Sequence, residues 1–151
     1  MQTLQKVFVV DANVELQESV CQWLEAQQIL VECSLSAADF FLHTPVDAAG
    51  CLLLDLSQAD CSGIDLQLRI AKTYPLLALV VTSADANVEL AVKVMENGAV
   101  TLLQKPLQNY SVLAAVKNAF ARSQEATETF VRSAELRNQL ETLTPDERRV
   151  L

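Results

Sequence analysis

Glycine is scarce: the 151 residues hold only Gly50, Gly63 and Gly98, and none stands in a phosphate-cradling loop, which disfavours nucleotide binding. The single histidine, His43, has no catalytic partner close to it in sequence and reads as a surface residue rather than a phosphorelay histidine. No stretch approaches the run of about eighteen apolar residues that a membrane span requires. The N-terminus, MQTLQKVFVVD, runs into an acid rather than a small-residue cleavage site. A soluble, cytoplasmic chain with no membrane partner is expected. Basic residues are also few, eleven Lys and Arg against nineteen Asp and Glu, giving a net charge of −8, the wrong sign for gripping a phosphate backbone. If the protein acts on DNA, another segment must hold it. The four cysteines, Cys21, Cys33, Cys51 and Cys61, are irregularly spaced and form no CxxC pair, so they read as free, mostly buried thiols.

What the chain has in quantity is apolar side chain, 51% of its residues, enough for one domain with its own core. Residues 6–10 (KVFVV) form a short β-branched run ended by Asp11, the pattern of a strand buried on both faces. Similar runs follow at 51–54, 77–81 and 100–103, with a weaker one at 30–34. Between them lie segments with helical spacing, carried by Leu16, Val20 and Leu24, then by Ile64, Leu68 and Ala71, then by Val88, Ala91 and Met95. Strand and helix alternate five times, which argues for an α/β fold: a doubly wound, five-stranded parallel sheet of (βα)5 type in the order 2-1-3-4-5. Gly98 and Pro75 suit the ends of the fourth and third helices. The helical pattern continues beyond the domain, so residues 1–122 are read as the domain and 123–142 as an extended C-terminal linker helix that pairs with a copy of itself or stays a solvated tail.

Ligands of open α/β sheets bind outside the carboxyl ends of the strands, where strand order reverses. Here that point lies between strands one and three, which end in Asp11 and Asp55, while Thr82 and Lys105 end strands four and five on the same rim. Singly, each has a plain reading: Asp11 as a turn former or helix cap, Thr82 with Ser83 as a cap, Lys105 as a solvated lysine. Together they form a site. Two neighbouring acids resist full ionisation unless they share a cation, and a hard divalent ion such as magnesium suits carboxylates, a backbone carbonyl and water. With Lys105 and Thr82 bonding phosphate oxygens, the chemistry suggested is attack by the Asp55 carboxylate on phosphorus.

These residues carry a family resemblance. KVFVVD, CLLLDLSQADCSGIDLQ and LVVTSADANVELAVKVMENGAVTLLQKP resemble the first strand, the phosphorylation segment and the switch-threonine to Lys-Pro stretch of response-regulator receiver domains, over residues 5 to about 121. The resemblance implies Asp55 as phosphoacceptor, Mg2+ on Asp11, Asp55 and the carbonyl of Ser57, and phosphate contacts from Thr82 and Lys105. It also implies a cis Lys105–Pro106 bond, a sensor histidine kinase as partner, a homodimer, and no enzymatic turnover beyond slow self-dephosphorylation. Residues 143–151, LTPDERRVL, resemble the opening of LuxR-type helix-turn-helix domains, with Thr144 as cap and Pro145 at the first helical position. That implies a fragment of a transcription regulator, touching DNA only through a missing output domain; the plain alternative is an ordinary capped helix ending a single-domain protein.

The chain departs from the family in three places. Ala12 stands where receivers usually place a second acid, which implies weaker magnesium binding. Gln58, Ala59 and Asp60 replace the frequent Met-Pro-Gly, and Asp60 could supply acidity from another direction. Leu102 occupies the position of the aromatic that many members rotate as the threonine moves, and reads as a core leucine. The function expected is a phosphoacceptor receiver controlling a DNA-binding domain. Ala12 and Leu102 keep a second reading open, a phosphorylation-independent interaction and dimerisation module.

Overall fold

The structure, a computed structural model, describes residues 5–58 and 63–141. The elements run β1 (Lys6–Val10), α1 (Val14–Glu25), β2 (Val31–Ser34), α2 (Ala37–His43), β3 (Gly50–Asp55), a 3-10 turn (Leu56–Gln58), α3 (Gly63–Thr73), β4 (Leu77–Ser83), α4 (Val88–Glu96), β5 (Thr101–Gln104) and α5 (Asn109–Glu141). All strand pairs are parallel and the sheet order is β2-β1-β3-β4-β5, as the alternation predicts.

Strand side chains alternate between the two faces, so each apolar run feeds two cores. Val7, Val9, Cys51, Leu53, Ala78 and Val80 pack with Val20 and Leu24 of α1 and with Val112, Ala115, Val116 and Ala119 of α5. The intervening Phe8, Val10, Leu52, Leu54, Leu79 and Val81 pack on the other side with Phe40 of α2, Leu66 and Ile70 of α3 and Val94 of α4. This is why the strands read as continuous hydrophobic runs rather than as polar-apolar alternations.

The N-termini of α1, α2 and α4 are closed by Asn13, Ser36 and Asn87, whose side chains accept from the amides of Leu16, Asp39 and Leu90. At the end of α4, Gly98 takes φ +98°, its N–H donates to the Met95 carbonyl and that of Ala99 to the Val94 carbonyl, the paired closure that a left-handed residue permits.

Two helix faces differ from the sequence reading. In α3 the inward residues are Leu66, Gln67 and Ile70, and Leu68 is exposed; in α4 Val94 is buried while Val88 and Met95 are exposed. Both helices carry apolar residues on more than one side, so a 3.6-residue period fits two rotations and only tertiary packing selects one. The thiols differ as well: Cys51 is buried, but Cys33 is exposed and Cys21 half-buried. Helix α5 runs unbroken from the domain into the linker region, and Ser123, the first residue assigned to that linker, is buried. Asp60, Cys61 and the LTPDERRVL segment lie outside the described residues.

Candidate functional site

The two acids stand on adjacent strands because β1 and β3 pair in register, Val10 opposite Leu54, which leaves Asp11 just past one strand end and Asp55 at the other. Both are buried. Each divides its carboxylate the same way. Asp11 Oδ1 accepts the Asn13 amide at 2.9 Å and Asp55 Oδ1 accepts the Ser57 amide at 3.1 Å, so each turn is fixed by its own acid two residues earlier. The remaining oxygens converge on one cation: Lys105 Nζ lies 2.8 Å from Asp11 Oδ2 and 3.1 Å from Asp55 Oδ2. One oxygen of Asp11 thus holds its own turn while the other reaches Lys105.

Lys105 reaches the crevice from just beyond β5, held there by its own amide, which donates to the Ser83 carbonyl at 2.9 Å; the bond to Pro106 is cis. Burial pushes its pKa down, but hydrogen bonds and charge from Asp11 and Asp55 outweigh that and the net shift is upward. With two carboxylates to one ammonium, the crevice keeps a formal excess of negative charge.

Thr82 is buried in β4 directly opposite Asp55, its hydroxyl 3.5 Å from the Leu54 carbonyl. Leu102 pairs with Val81 and packs, partly buried, on the core that α4 also covers. The structure thus brings Asp11, Asp55, Ser57, Thr82 and Lys105 to one rim, with Leu102 one register step back from it. Ala12 is exposed beside it.

Three contributors escaped sequence reading. The Ser57 hydroxyl donates to Asp55 Oδ2 at 2.9 Å, a role beyond the backbone carbonyl expected of it. Asn13 caps α1 while its amide holds Asp11. Buried Gln17 donates through Nε2 to the carbonyls of Asp11 (2.9 Å) and Ser34 (2.8 Å), bracing the acid's backbone against β2. Its only sequence signal is a polar residue beside the apolar Leu16–Val20–Leu24 stripe.

Among the described residues no cluster of three or more His, Cys, Asp or Glu is poised for a metal. The pair of acids nevertheless fits a hard cation: two carboxylate oxygens already meet at a single positive centre, and oxygen donors are what magnesium takes.

A doubly wound parallel sheet whose reversal point holds two acids and a lysine defines a flavodoxin-like domain with an anionic crevice. Residues 7–117 match the response regulator receiver domain, and the chain belongs to that family. It is 26% identical over 145 residues to the response regulator protein TmoT of Ectopseudomonas mendocina, covering 96% of this chain and 66% of that protein. It is 30% identical over 146 residues to the transcriptional regulatory protein FixJ of Azorhizobium caulinodans, covering 96% and 69%. Of TodT from Pseudomonas putida it spans 64%. The response regulator StyR superposes with a TM-score of 0.87 at 26% identity, over 98% of this chain and 75% of that one. A receiver domain from Methanospirillum hungatei shares the fold, with a TM-score of 0.71 at 21% identity over 82% and 98%. The chain is therefore a receiver domain of the response-regulator kind, and among the described residues no helix is long and apolar enough to cross a membrane.

Proposed function

We propose that Asp55 accepts a phosphoryl group from a sensor histidine kinase and that the modified domain controls a DNA-binding output segment as a dimer. The observation that carries this reading is the convergence of Asp11 Oδ2, Asp55 Oδ2 and Lys105 Nζ within 2.8–3.1 Å on one rim. The Asp55 carboxylate attacks phosphorus, the bond from phosphorus to the donor's leaving group breaks, and an acyl phosphate remains. Lys105, already in place, pairs with a phosphoryl oxygen, and Thr82 swings its weakly held hydroxyl toward another. Asp11, Asp55 and the Ser57 carbonyl would hold Mg2+, which supplies charge shielding for the incoming group. Ala12 in place of a second acid makes that binding weak. Leu102, on the core shared with α4, is the position through which Thr82 movement reaches the α4 surface. Similarity to TmoT and FixJ, named as a response regulator and a transcriptional regulatory protein, supports the regulatory part of the reading. Residues 143–151 are read as the start of a LuxR-type helix-turn-helix, with the part of 123–142 beyond buried Ser123 as the linker to it.

The test is intact-mass spectrometry after incubation with Mg2+ and acetyl phosphate. Wild type is expected to gain one phosphoryl mass and Asp55→Asn none, while Ala12→Asp reaches the same occupancy at about tenfold lower Mg2+. A gain seen only in Ala12→Asp would replace this reading with a phosphate-independent interaction module.

A further inference from the structure

We propose that Cys21 and Cys33 form a reversible intramolecular disulfide under peroxide, cross-linking helix α1 to the edge strand β2. Neither thiol takes part in the phosphoryl chemistry, and the inference stands independently of it.

The two sulfurs lie 3.2 Å apart, inside van der Waals contact but well beyond a bond, and both thiols are free. Closing to the roughly 2.05 Å of a disulfide needs a movement of about 1 Å, within reach of side-chain rotation. The pairing comes from the fold. Strand β2 is the sheet edge, Cys33 sits opposite Val9, and Val31, two residues earlier on the same face, packs on the core that α1 covers. Cys21 lies one turn beyond Gln17, whose amide already ties α1 to the Ser34 carbonyl beside Cys33. A disulfide would add a covalent brace next to that hydrogen-bonded one.

Access is open, since Cys33 is exposed and Cys21 half-buried. Buried Cys51 contrasts with both: desolvation alone pushes its pKa up and shuts it away from solvent. Partial burial of its sulfur, the bond to Cys21 and the charges of Cys21, Glu25 and Glu32 push the Cys33 thiol up to about 12, which slows its attack on an oxidant; the link is favoured instead by the 3.2 Å sulfur separation. The chemistry balances with a peroxide. One thiol gives up its proton and attacks a peroxide oxygen as thiolate; the O–O bond breaks and the departing hydroxide takes up that proton, giving a sulfenic acid and water, after which the second thiol attacks that sulfur, forming S–S and releasing a second water. Two thiols lose two electrons and two protons, and the peroxide is reduced to water.

The experiment exposes the whole reduced chain to hydrogen peroxide, under conditions that oxidise its thiols when unfolded in urea, then alkylates remaining thiols and maps peptides by mass spectrometry. The expected result is loss of two hydrogens, a peptide pair joined through Cys21 and Cys33, full reversal by dithiothreitol, and a Tm raised by roughly 5–15 °C. Cys33→Ser, at an exposed position, should melt like the reduced wild type and form no link. The proposal is overturned if both cysteines remain alkylatable in the folded chain, or if the only disulfide joins Cys61 or two separate chains.

Discussion

Lys105 shows how one residue can be costly and stabilising together. Its ammonium gives up water to enter the crevice, and two acids compensate it, so its pKa in the folded chain lies above the ordinary 10.5. A group whose pKa rises on folding contributes stability that is complete below the ordinary value and fades as pH climbs through the folded one. In urea unfolding the advantage of wild type over Lys105→Met should therefore hold steady up to about pH 10 and shrink above it. An advantage that shrank between pH 9 and pH 7, where neither the lysine nor the acids change charge in the unfolded chain, would show that the ion pairs are not its source. The two positive-φ glycines provide a second residue-scale test, because they carry different constraints. A Cβ on Gly50 would stand 2.0 Å from the Lys6 carbonyl oxygen at φ +125°, whereas one on Gly98 would meet nothing within 4 Å. Gly50→Ala should cost about 3 kcal/mol or more, from clash and backbone strain together. Gly98→Ala should cost only the left-handed penalty, about 1–2 kcal/mol. Equal losses in urea melts would contradict the steric account of Gly50.

At the scale of elements, α5 divides at Ser123. The Ser123 hydroxyl accepts the Gly50 amide at 2.7 Å and donates to the Leu76 carbonyl at 2.6 Å, closing the amino ends of β3 and β4. Most residues beyond it are exposed, Phe130 and Leu136 among them. Ser123→Ala strands two buried backbone groups and should cost roughly 2–4 kcal/mol, while ending the chain after Thr127 should cost under about 1 kcal/mol. Thermal melts of the two variants check this, and similar losses would mean that the far half of the helix belongs to the fold. Ser123 also marks where sequence reading stops. Strands were legible because parallel strands buried on both faces leave unbroken apolar runs, and Asp11, Asp55, Thr82 and Lys105 were legible because strand ends deliver side chains to one rim. A hydrogen bond across 73 positions leaves no periodic trace, so Ser123 looked like the first residue of a polar linker. The faces of α3 and α4 were ambiguous for a related reason: which apolar stripe turns inward is decided by the sheet they meet.

For the whole molecule, charge and apolar surface pull in opposite directions. Two copies at −8 each repel, and phosphorylation would add to that charge, so a dimer of the modified domain needs an uncharged source of attraction. Val88, Val92 and Met95 provide one, an exposed stripe along α4 spaced at four and three residues, on the helix that covers Leu102 and Val81. Repulsion reaches about 30 Å at 0.01 M salt and about 8 Å at 0.15 M, while burial of the stripe is little affected over that range. Sedimentation velocity of the acetyl phosphate-treated chain should therefore show more dimer at 0.15 M salt than at 0.01 M. Val92→Glu, which places a charge in the middle of the stripe, should leave a monomer at both. Dimers that instead dissociate as salt rises would be held by ion pairs between copies, and the interface would then have to be sought away from α4, among the mixed charges of the extended α5.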